Sequence, residues 1–195
     1  TLAPGELTPQ EIATRSQRVT ADTEELLWAS RKVLKGIYVQ REDAERHLRF
    51  FPGTSFPLAL VTSQAGGGKT CLLHHLAADW AKEGASVLLL RCMAIEGSDL
   101  MNVLRDSLIL SAEVDAKSLA EHGASQDRPL IVLLDGLNEH PQREELLGSI
   151  LTLAEEVSEF RHLKLVISWR SERPCASTTV LRPRERADLI RTRIS

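Results

Sequence analysis

The sequence predicts an α/β fold with three layers, in which helices cover both faces of a mainly parallel sheet. Four short runs rich in Leu, Val and Ile have the length and composition of strands that are buried on both faces. Segments with the helical spacing of apolar residues alternate with these runs, as they do where helices join parallel strands. A glycine-rich stretch, SQAGGGKT at residues 63–70, closely follows the first run. An N-terminal helical segment is predicted before the sheet begins.

The predicted elements follow in order along the chain. The first ten residues, TLAPGELTPQ, are predicted to be a loop or linker outside the core, because they contain two prolines and a glycine. Strands are predicted at residues 56–61, 86–90, 130–134 and 163–167. Helices are predicted at residues 22–35, 42–51, 69–82, 99–110, 114–122 and 142–160. The last residues, LRPRERADLIRTRIS, also have helix-like spacing.

Composition and charge fit one globular domain and give no general attraction to polyanions. The chain has 195 residues, of which 43% are hydrophobic, and this is enough for a proper core. Its formal net charge of -3 favours neither nucleic acid nor an anionic membrane as a partner. Seven arginines face three acids from Arg170 onward. We interpret this local basic excess as a solvated helix face rather than a nucleic-acid site.

Cysteine usage and hydropathy favour a cytoplasmic protein. The cysteines Cys71, Cys92 and Cys175 are odd in number and lack C-x-x-C spacing, so neither a disulfide framework nor a zinc site is indicated. No apolar run approaches the roughly 18 residues that a membrane span needs. We expect the chain to be a piece of a longer protein, because it begins with Thr1 and stops inside the helix-like final segment.

The stretch SQAGGGKT predicts a phosphate-binding loop. It fits the pattern G-x-x-x-x-G-K-[ST], except that Ser63 stands at the first glycine, where a positive φ would strain it. Glycines let successive backbone N–H groups turn toward one anion, and the following helix adds a partial positive charge. A simple turn before a helix would need neither Lys69 nor Thr70. The predicted nucleotide-binding residues here are Ser63, Gln64, Ala65, Gly66, Gly67, Gly68, Lys69, Thr70 and Cys71.

A second group of polar residues follows the third predicted strand, in RPLIVLLDGLNEH. Asp135 comes at the carboxyl end of this strand, where α/β sheets bind ligands, and with Thr70 it would hold Mg²⁺. Glu139 is close enough to activate an attacking water, although it could also be a capping or surface carboxylate. Arg170, at the end of the fourth strand, could sense the terminal phosphate or pair with a nearby acid. Glu139, Lys69 and Arg170 are the predicted catalytic residues.

These segments together resemble the NACHT branch of the STAND class of P-loop ATPases, within the AAA-like NTPases. The resemblance rests on SQAGGGKT, on LLDGLNE, which matches L-L-D-G-L-D-E, and on VISWR, which matches a strand that ends in T-S-R. YVQRE, residues 38–42, resembles the h-h-G-R-E element of the family, which implies that Arg41 lies beside the nucleotide base. The chain departs from the family's motifs at Ser63, Asn138, Gln40 and Trp169.

The resemblance implies a three-layer P-loop NTPase fold and an ATP-binding regulatory switch with slow Mg²⁺-dependent hydrolysis, within a larger signalling or defence protein. ATP or ADP would be held between a domain at residues 38–195, truncated at its C-terminus, and further domains of the parent chain. Residues 1–37 would be a linker and helix, and nucleotide exchange would drive self-assembly. Adenine is favoured because the sequence has no N-K-x-D element for guanine.

Two other functions stay open. A nucleotide-holding scaffold that never hydrolyses is motivated by the departures at Ser63 and Asn138. A P-loop kinase that passes phosphate to a small acceptor would need acceptor-binding arginines, for which only the C-terminal arginines qualify.

Overall fold

The computed structural model describes residues 1–30, 32–33, 42–170 and 189–193. Its α-helices are α1 (Pro9–Ala29), α2 (Glu42–Arg49), α3 (Lys69–Lys82), α4 (Leu100–Leu108), α5 (Ala116–His122) and α6 (Arg143–Glu156). Its strands are β1 (Leu58–Ser63), β2 (Ser86–Arg91), β3 (Leu130–Asp135), β4 (Leu163–Arg170) and β5 (Leu189–Arg193). Short 3-10 turns occupy Pro4–Glu6, Phe51–Gly53, Cys92–Ala94 and Leu137–Glu139. None of the described helices is long and apolar enough to cross a membrane.

The five strands form one sheet in the order β2-β3-β4-β1-β5, and every neighbouring pair is parallel. Alternate residues of strands β1 to β4 point to opposite faces of the sheet, where they join two separate apolar clusters. Helix α3 covers one face, and helices α4, α5 and α6 cover the other. The predicted α/β fold with three layers and a parallel sheet is therefore confirmed.

Two of the first ten residues belong to the core, so the prediction that this segment lies outside the core was wrong. Leu2 and Leu7 are buried, and Leu2 pairs with Leu110 in an isolated parallel bridge. Helix α1 begins at Pro9 rather than at residue 22, and the Thr8 hydroxyl caps it by accepting a hydrogen bond from the backbone N–H of Glu11. Proline marked the start of a helix here, where its missing N–H costs nothing, and not a loop.

Helix α1 is fastened to the outer edge of strand β2. The Thr20 hydroxyl donates a hydrogen bond to the carbonyl of Val87 over 2.8 Å. The same hydroxyl accepts one from the backbone N–H of Leu89 over 2.9 Å. The Thr20 side chain thus satisfies the backbone groups of β2 that would otherwise form hydrogen bonds with a neighbouring strand.

The C-terminal segment contributes a strand where a helix was predicted. Residues 189–193 form β5, which pairs with β1 so that Leu189 lies opposite Leu58 and Arg193 opposite Thr62. Pairing with the open side of β1 satisfies the backbone groups of this segment, and such tertiary pairing overrides local spacing. The helix prediction was therefore wrong for these residues, and residues 181–188 lie outside the described part of the chain.

A lysine is buried in strand β4, within a run that the sequence predicted from its apolar residues. The ammonium of Lys164 donates hydrogen bonds to the carbonyls of Thr54 over 2.6 Å and of Phe56 over 2.8 Å. It also lies 5.6 Å from the centre of the Phe51 ring. Burial, and to a smaller extent the charge of Arg161, lowers the pKa of Lys164 from 10.5 to about 8.

This lowered pKa predicts a specific dependence of stability on pH. Between about pH 8 and pH 10.5 the unfolded chain holds the Lys164 proton more tightly than the folded chain, so the free energy of unfolding rises with pH. We expect Lys164→Met to lose this rise. Denaturant unfolding at a series of pH values would measure it, with Lys82→Met, at a lysine that is 77% exposed, as the control. Parallel stability curves for the wild type and Lys164→Met would contradict the prediction.

Candidate nucleotide-binding site

The glycine-rich loop connects the end of β1 to the start of α3. Gly66 and Gly68 have φ values of 74° and 76°, which residues with a Cβ atom rarely adopt. Gly68 is the N-cap residue of α3 and has no side chain that could cap the helix. The N-terminus of α3 carries a partial positive charge, so this helix end favours an anion.

Ser63 ends strand β1, so the positive φ that would have strained it does not occur. Among the described residues Ile109 is the one non-glycine residue with a positive φ. The Ser63 side chain fills the space beside Gly67, because a Cβ atom at Gly67 would collide with Ser63 Oγ and lie 2.8 Å from Ser63 Cβ. Serine at the first position is thus accommodated by a glycine four residues later.

The Lys69 side chain folds back over its own loop. Its ammonium donates hydrogen bonds to the carbonyl and the hydroxyl of Ser63, each over 2.9 Å. It also donates to the carbonyl of Gln64 over 3.0 Å. A bound phosphate would therefore have to compete with these oxygens for the lysine.

Asp135 joins the phosphate loop to the acidic strand. The Thr70 hydroxyl donates a hydrogen bond to Asp135 Oδ2 over 2.8 Å. The Ser168 hydroxyl donates to Asp135 Oδ1 over 2.8 Å and accepts a hydrogen bond from the backbone N–H of Gly136 over 2.7 Å. Each oxygen of this buried carboxylate thus accepts one hydrogen bond, one from α3 and the other from β4. The sequence analysis paired Thr70 with Asp135 but did not assign Ser168 to the site.

Glu139 lies in the turn that follows β3. Gly136 has a φ of 74°, and its carbonyl accepts a hydrogen bond from the Glu139 N–H over 2.7 Å. Glu139 Oε2 lies 3.5 Å from the ammonium of Lys32. Asn138, where the resemblance expected an acid, accepts a hydrogen bond from the backbone N–H of Arg170 over 3.1 Å. The amide therefore links the turn to the end of β4.

The NACHT domain profile matches residues 58–192, which is more than half of the chain. This chain belongs to the NACHT domain family. The match confirms the resemblance that SQAGGGKT and LLDGLNE indicated, and it makes the chain a nucleotide-binding P-loop NTPase domain. A comparison with the curated proteins finds no match.

Solved structures share the fold of this NACHT domain at low sequence identity. A structure of Drosophila ORC bound to DNA is 16% identical with a TM-score of 0.56, over 91% of this chain and 46% of that chain. Cdc6p from Pyrobaculum aerophilum is 16% identical with a TM-score of 0.52, over 81% of this chain and 47% of that chain. The NACHT domain chain thus spans less than half the length of these proteins, and the likeness shows the fold alone.

The remaining predicted site residues of the NACHT domain differ in how far they can be placed. Arg170 lies opposite Ser63 in the pairing of β4 with β1, so it is at the same edge of the sheet as the phosphate loop. The Cys71 thiol donates a hydrogen bond to the carbonyl of Lys32 over 3.5 Å. Arg41 lies outside the described residues. The nucleotide-binding and catalytic roles of these residues stay predictions.

The carboxylates at this edge influence a buried cysteine. Cys92 follows strand β2, and its side chain is fully buried. Burial, and then the negative charges of Asp135 and Glu139, raise the pKa of the Cys92 thiol far above its ordinary value. The thiol therefore stays protonated and is not a nucleophile at neutral pH.

The oxygen donors at this edge fit Mg²⁺ that accompanies a nucleotide. Within residues 1–30, 32–33, 42–170 and 189–193 there is no group of three or more His, Cys, Asp or Glu side chains that could hold a metal ion. Thr70 and Asp135 offer two oxygen donors that already lie within 2.8 Å of each other. Mg²⁺ commonly takes one or two protein oxygens and fills its other positions with water and phosphate.

Proposed function

We propose that this NACHT domain is an ATP-binding regulatory switch with slow Mg²⁺-dependent hydrolysis, within a larger signalling or defence protein of the cytoplasm. The observation that carries the proposal is the hydrogen bond between Thr70 and Asp135 over 2.8 Å. It brings the phosphate loop and the acidic strand to one edge of the sheet, as a shared phosphate and metal site requires.

The phosphate loop would bind the nucleotide through its backbone and its lysine. Gly66, Gly67 and Gly68 allow the N–H groups of the loop to face one anion, and the partial positive charge at the start of α3 adds to the attraction. Lys69 would exchange the oxygens of Ser63 and Gln64 for those of the β and γ phosphates. Adenine is proposed as the base on the grounds of the family and of the absent guanine-reading element.

Thr70 and Asp135 would hold Mg²⁺. When bound, the metal supplies positive charge at the β and γ phosphate oxygens. Ser168 would keep the Asp135 carboxylate in place, because it donates to the oxygen that Thr70 does not contact. This arrangement explains why a buried serine occupies the end of β4.

Glu139 would act as the general base. Its side chain is 36% exposed, so water can reach the carboxylate, and it lies in the turn directly after the Asp135 strand. The carboxylate would take a proton from water as the water oxygen attacks the γ phosphorus, and the bond to the ADP oxygen would break. Arg170, at the same edge, would stabilise charge on the transferred phosphoryl group.

We expect the shared metal site to be visible in the Mg²⁺ dependence of binding. Chelation of Mg²⁺ should weaken ATP binding by the intact protein about tenfold or more, and Asp135→Asn should remove most of this dependence. Titration calorimetry with and without EDTA would measure both effects. Asp79→Asn is a matched control, since this acid pairs with Arg49 and Lys82 toward the other end of α3. Unchanged Mg²⁺ dependence in Asp135→Asn would contradict the proposal.

A non-hydrolysing scaffold is the second candidate function. Two contacts favour it: Glu139 is already paired with Lys32, and Asn138 supplies an amide in place of a second acid. Further domains and nucleotide-dependent self-assembly are proposed for either function, since the chain spans less than half of the proteins that share its fold.

A further inference from the structure

A lysine from the N-terminal part of the chain lies beside the site. Lys32 follows helix α1, and its backbone N–H donates a hydrogen bond to the Leu27 carbonyl over 3.1 Å. Its carbonyl accepts a hydrogen bond from the Cys71 thiol in the first turn of α3. The next residue, Val33, is buried in the apolar cluster that also contains Leu72. The Lys32 backbone is therefore fixed over the start of the phosphate-loop helix.

The side chain of Lys32 is held much less firmly than its backbone. Its ammonium lies 3.5 Å from Glu139 Oε2, and the two side chains are 39% and 36% exposed. Strong charge-assisted hydrogen bonds are shorter, at about 2.7–2.9 Å. Exposed ion pairs contribute little because water and salt screen them. A ligand with more negative charge than one carboxylate can therefore draw this ammonium away from Glu139.

Both contacts of Lys32 are with residues that belong to, or directly follow, the proposed phosphate and metal site. Cys71 directly follows Thr70, the proposed metal ligand, and Glu139 is the residue proposed to activate the attacking water. We infer that Lys32 is a further nucleotide-binding residue, which leaves Glu139 and binds the terminal phosphate of ATP. This inference rests on the proposed function, and it gives the segment after α1 a direct part in distinguishing ATP from ADP.

Binding of a non-hydrolysable ATP analogue and of ADP to the intact protein would test the inference. We expect Lys32→Ala to weaken binding of the ATP analogue roughly tenfold and binding of ADP less than about twofold. Lys32→Arg should keep most of the preference for the ATP analogue, because it retains the charge. Lys82→Ala is the matched control: Lys82 also forms an exposed ion pair over 3.5 Å, with Asp79, and it lies at the far end of α3.

Lys69→Ala, measured in the same titration, separates failure of the inference from failure of the proposed function. Unchanged affinity for the ATP analogue in Lys32→Ala, together with lost affinity in Lys69→Ala, would overturn the inference alone. Faster hydrolysis by Lys32→Ala at unchanged affinity would also overturn it, since Lys32 would then only restrain Glu139. If neither variant changes nucleotide affinity, both the inference and the proposed function are wrong. Thermal melting of each variant establishes that it is folded.

Discussion

Replacement of Glu139 by glutamine is expected to lower the rate of ATP hydrolysis about 10²–10⁴-fold and to leave ATP affinity within about twofold. Glutamine has nearly the same shape, so it can keep the packing of this side chain against Gly136. Its amide cannot accept a proton from water at neutral pH, and general-base catalysis is lost. Single-turnover phosphate release at saturating ATP and Mg²⁺ measures the chemical step without product release.

A matched variant and two contrary outcomes make this experiment decisive. Glu83→Gln removes the same charge from the C-cap residue that follows α3, and this variant should hydrolyse ATP like the wild type. Equal, measurable phosphate release by the wild type and Glu139→Gln would remove Glu139 from the mechanism. If neither the wild type nor Glu139→Gln releases phosphate at a detectable rate, the result would favour the non-hydrolysing scaffold.

Replacement of Lys69 by alanine is expected to weaken ATP binding by roughly 2–3 kcal/mol, or about 30-fold or more. The variant loses a charge-assisted contact to the phosphates. The loss is smaller than the whole strength of that contact, because Lys69 must first leave the oxygens of Ser63 and Gln64. Titration of ATP with Mg²⁺ into the intact protein measures the change directly.

Lys82→Ala again serves as the control for a general loss of positive charge, since the Lys82 side chain is 77% exposed. It should bind ATP like the wild type. Circular dichroism of Lys69→Ala should match that of the wild type, because Lys69 is only half-buried, at the first position of α3, and contributes little to the core. A folded Lys69→Ala with wild-type affinity would mean that the loop does not bind phosphate.

The middle of the domain could be predicted from local sequence. Helix α3 was predicted with its observed bounds, Lys69–Lys82. Its buried residues recur at helical spacing, and the glycine-rich loop marks where it begins. Strands β1, β2 and β3 were predicted within two residues at each end, since buried parallel strands are continuously apolar. Both polar loops follow such strands, so their placement at one edge of the sheet followed from the fold class.

The two ends of the chain could not be predicted in the same way. Toward the first half of α1 the helix buries Ser16, and Thr20 forms hydrogen bonds with strand β2, so polar residues stand where an apolar stripe would be expected. Hydrophobic periodicity therefore detected only the second half of the helix. The pairing of β5 with β1 depends on a strand that lies more than 120 residues earlier in the sequence, and local spacing carries no information about it.

The additional site residues were missed for a similar reason. Lys32 and Glu139 are separated by 107 positions, and nothing near Lys32 in the sequence indicates a ligand site. Ser168 carried a usable signal, since it is a polar residue near the carboxyl end of an otherwise apolar strand. It can reach Asp135 because β4 is the neighbour of β3 in the sheet, and the sheet order was not predicted.

Helix α1 has a further consequence for how this domain can associate with other molecules. An exposed strand at the end of a sheet is a template on which a second chain can extend the sheet. At β2 the Thr20 hydroxyl already occupies the carbonyl of Val87 and the N–H of Leu89, and the helix excludes an incoming strand from that side. Any assembly through this domain would therefore have to use surfaces other than the β2 edge, where helix α1 blocks the addition of a further strand.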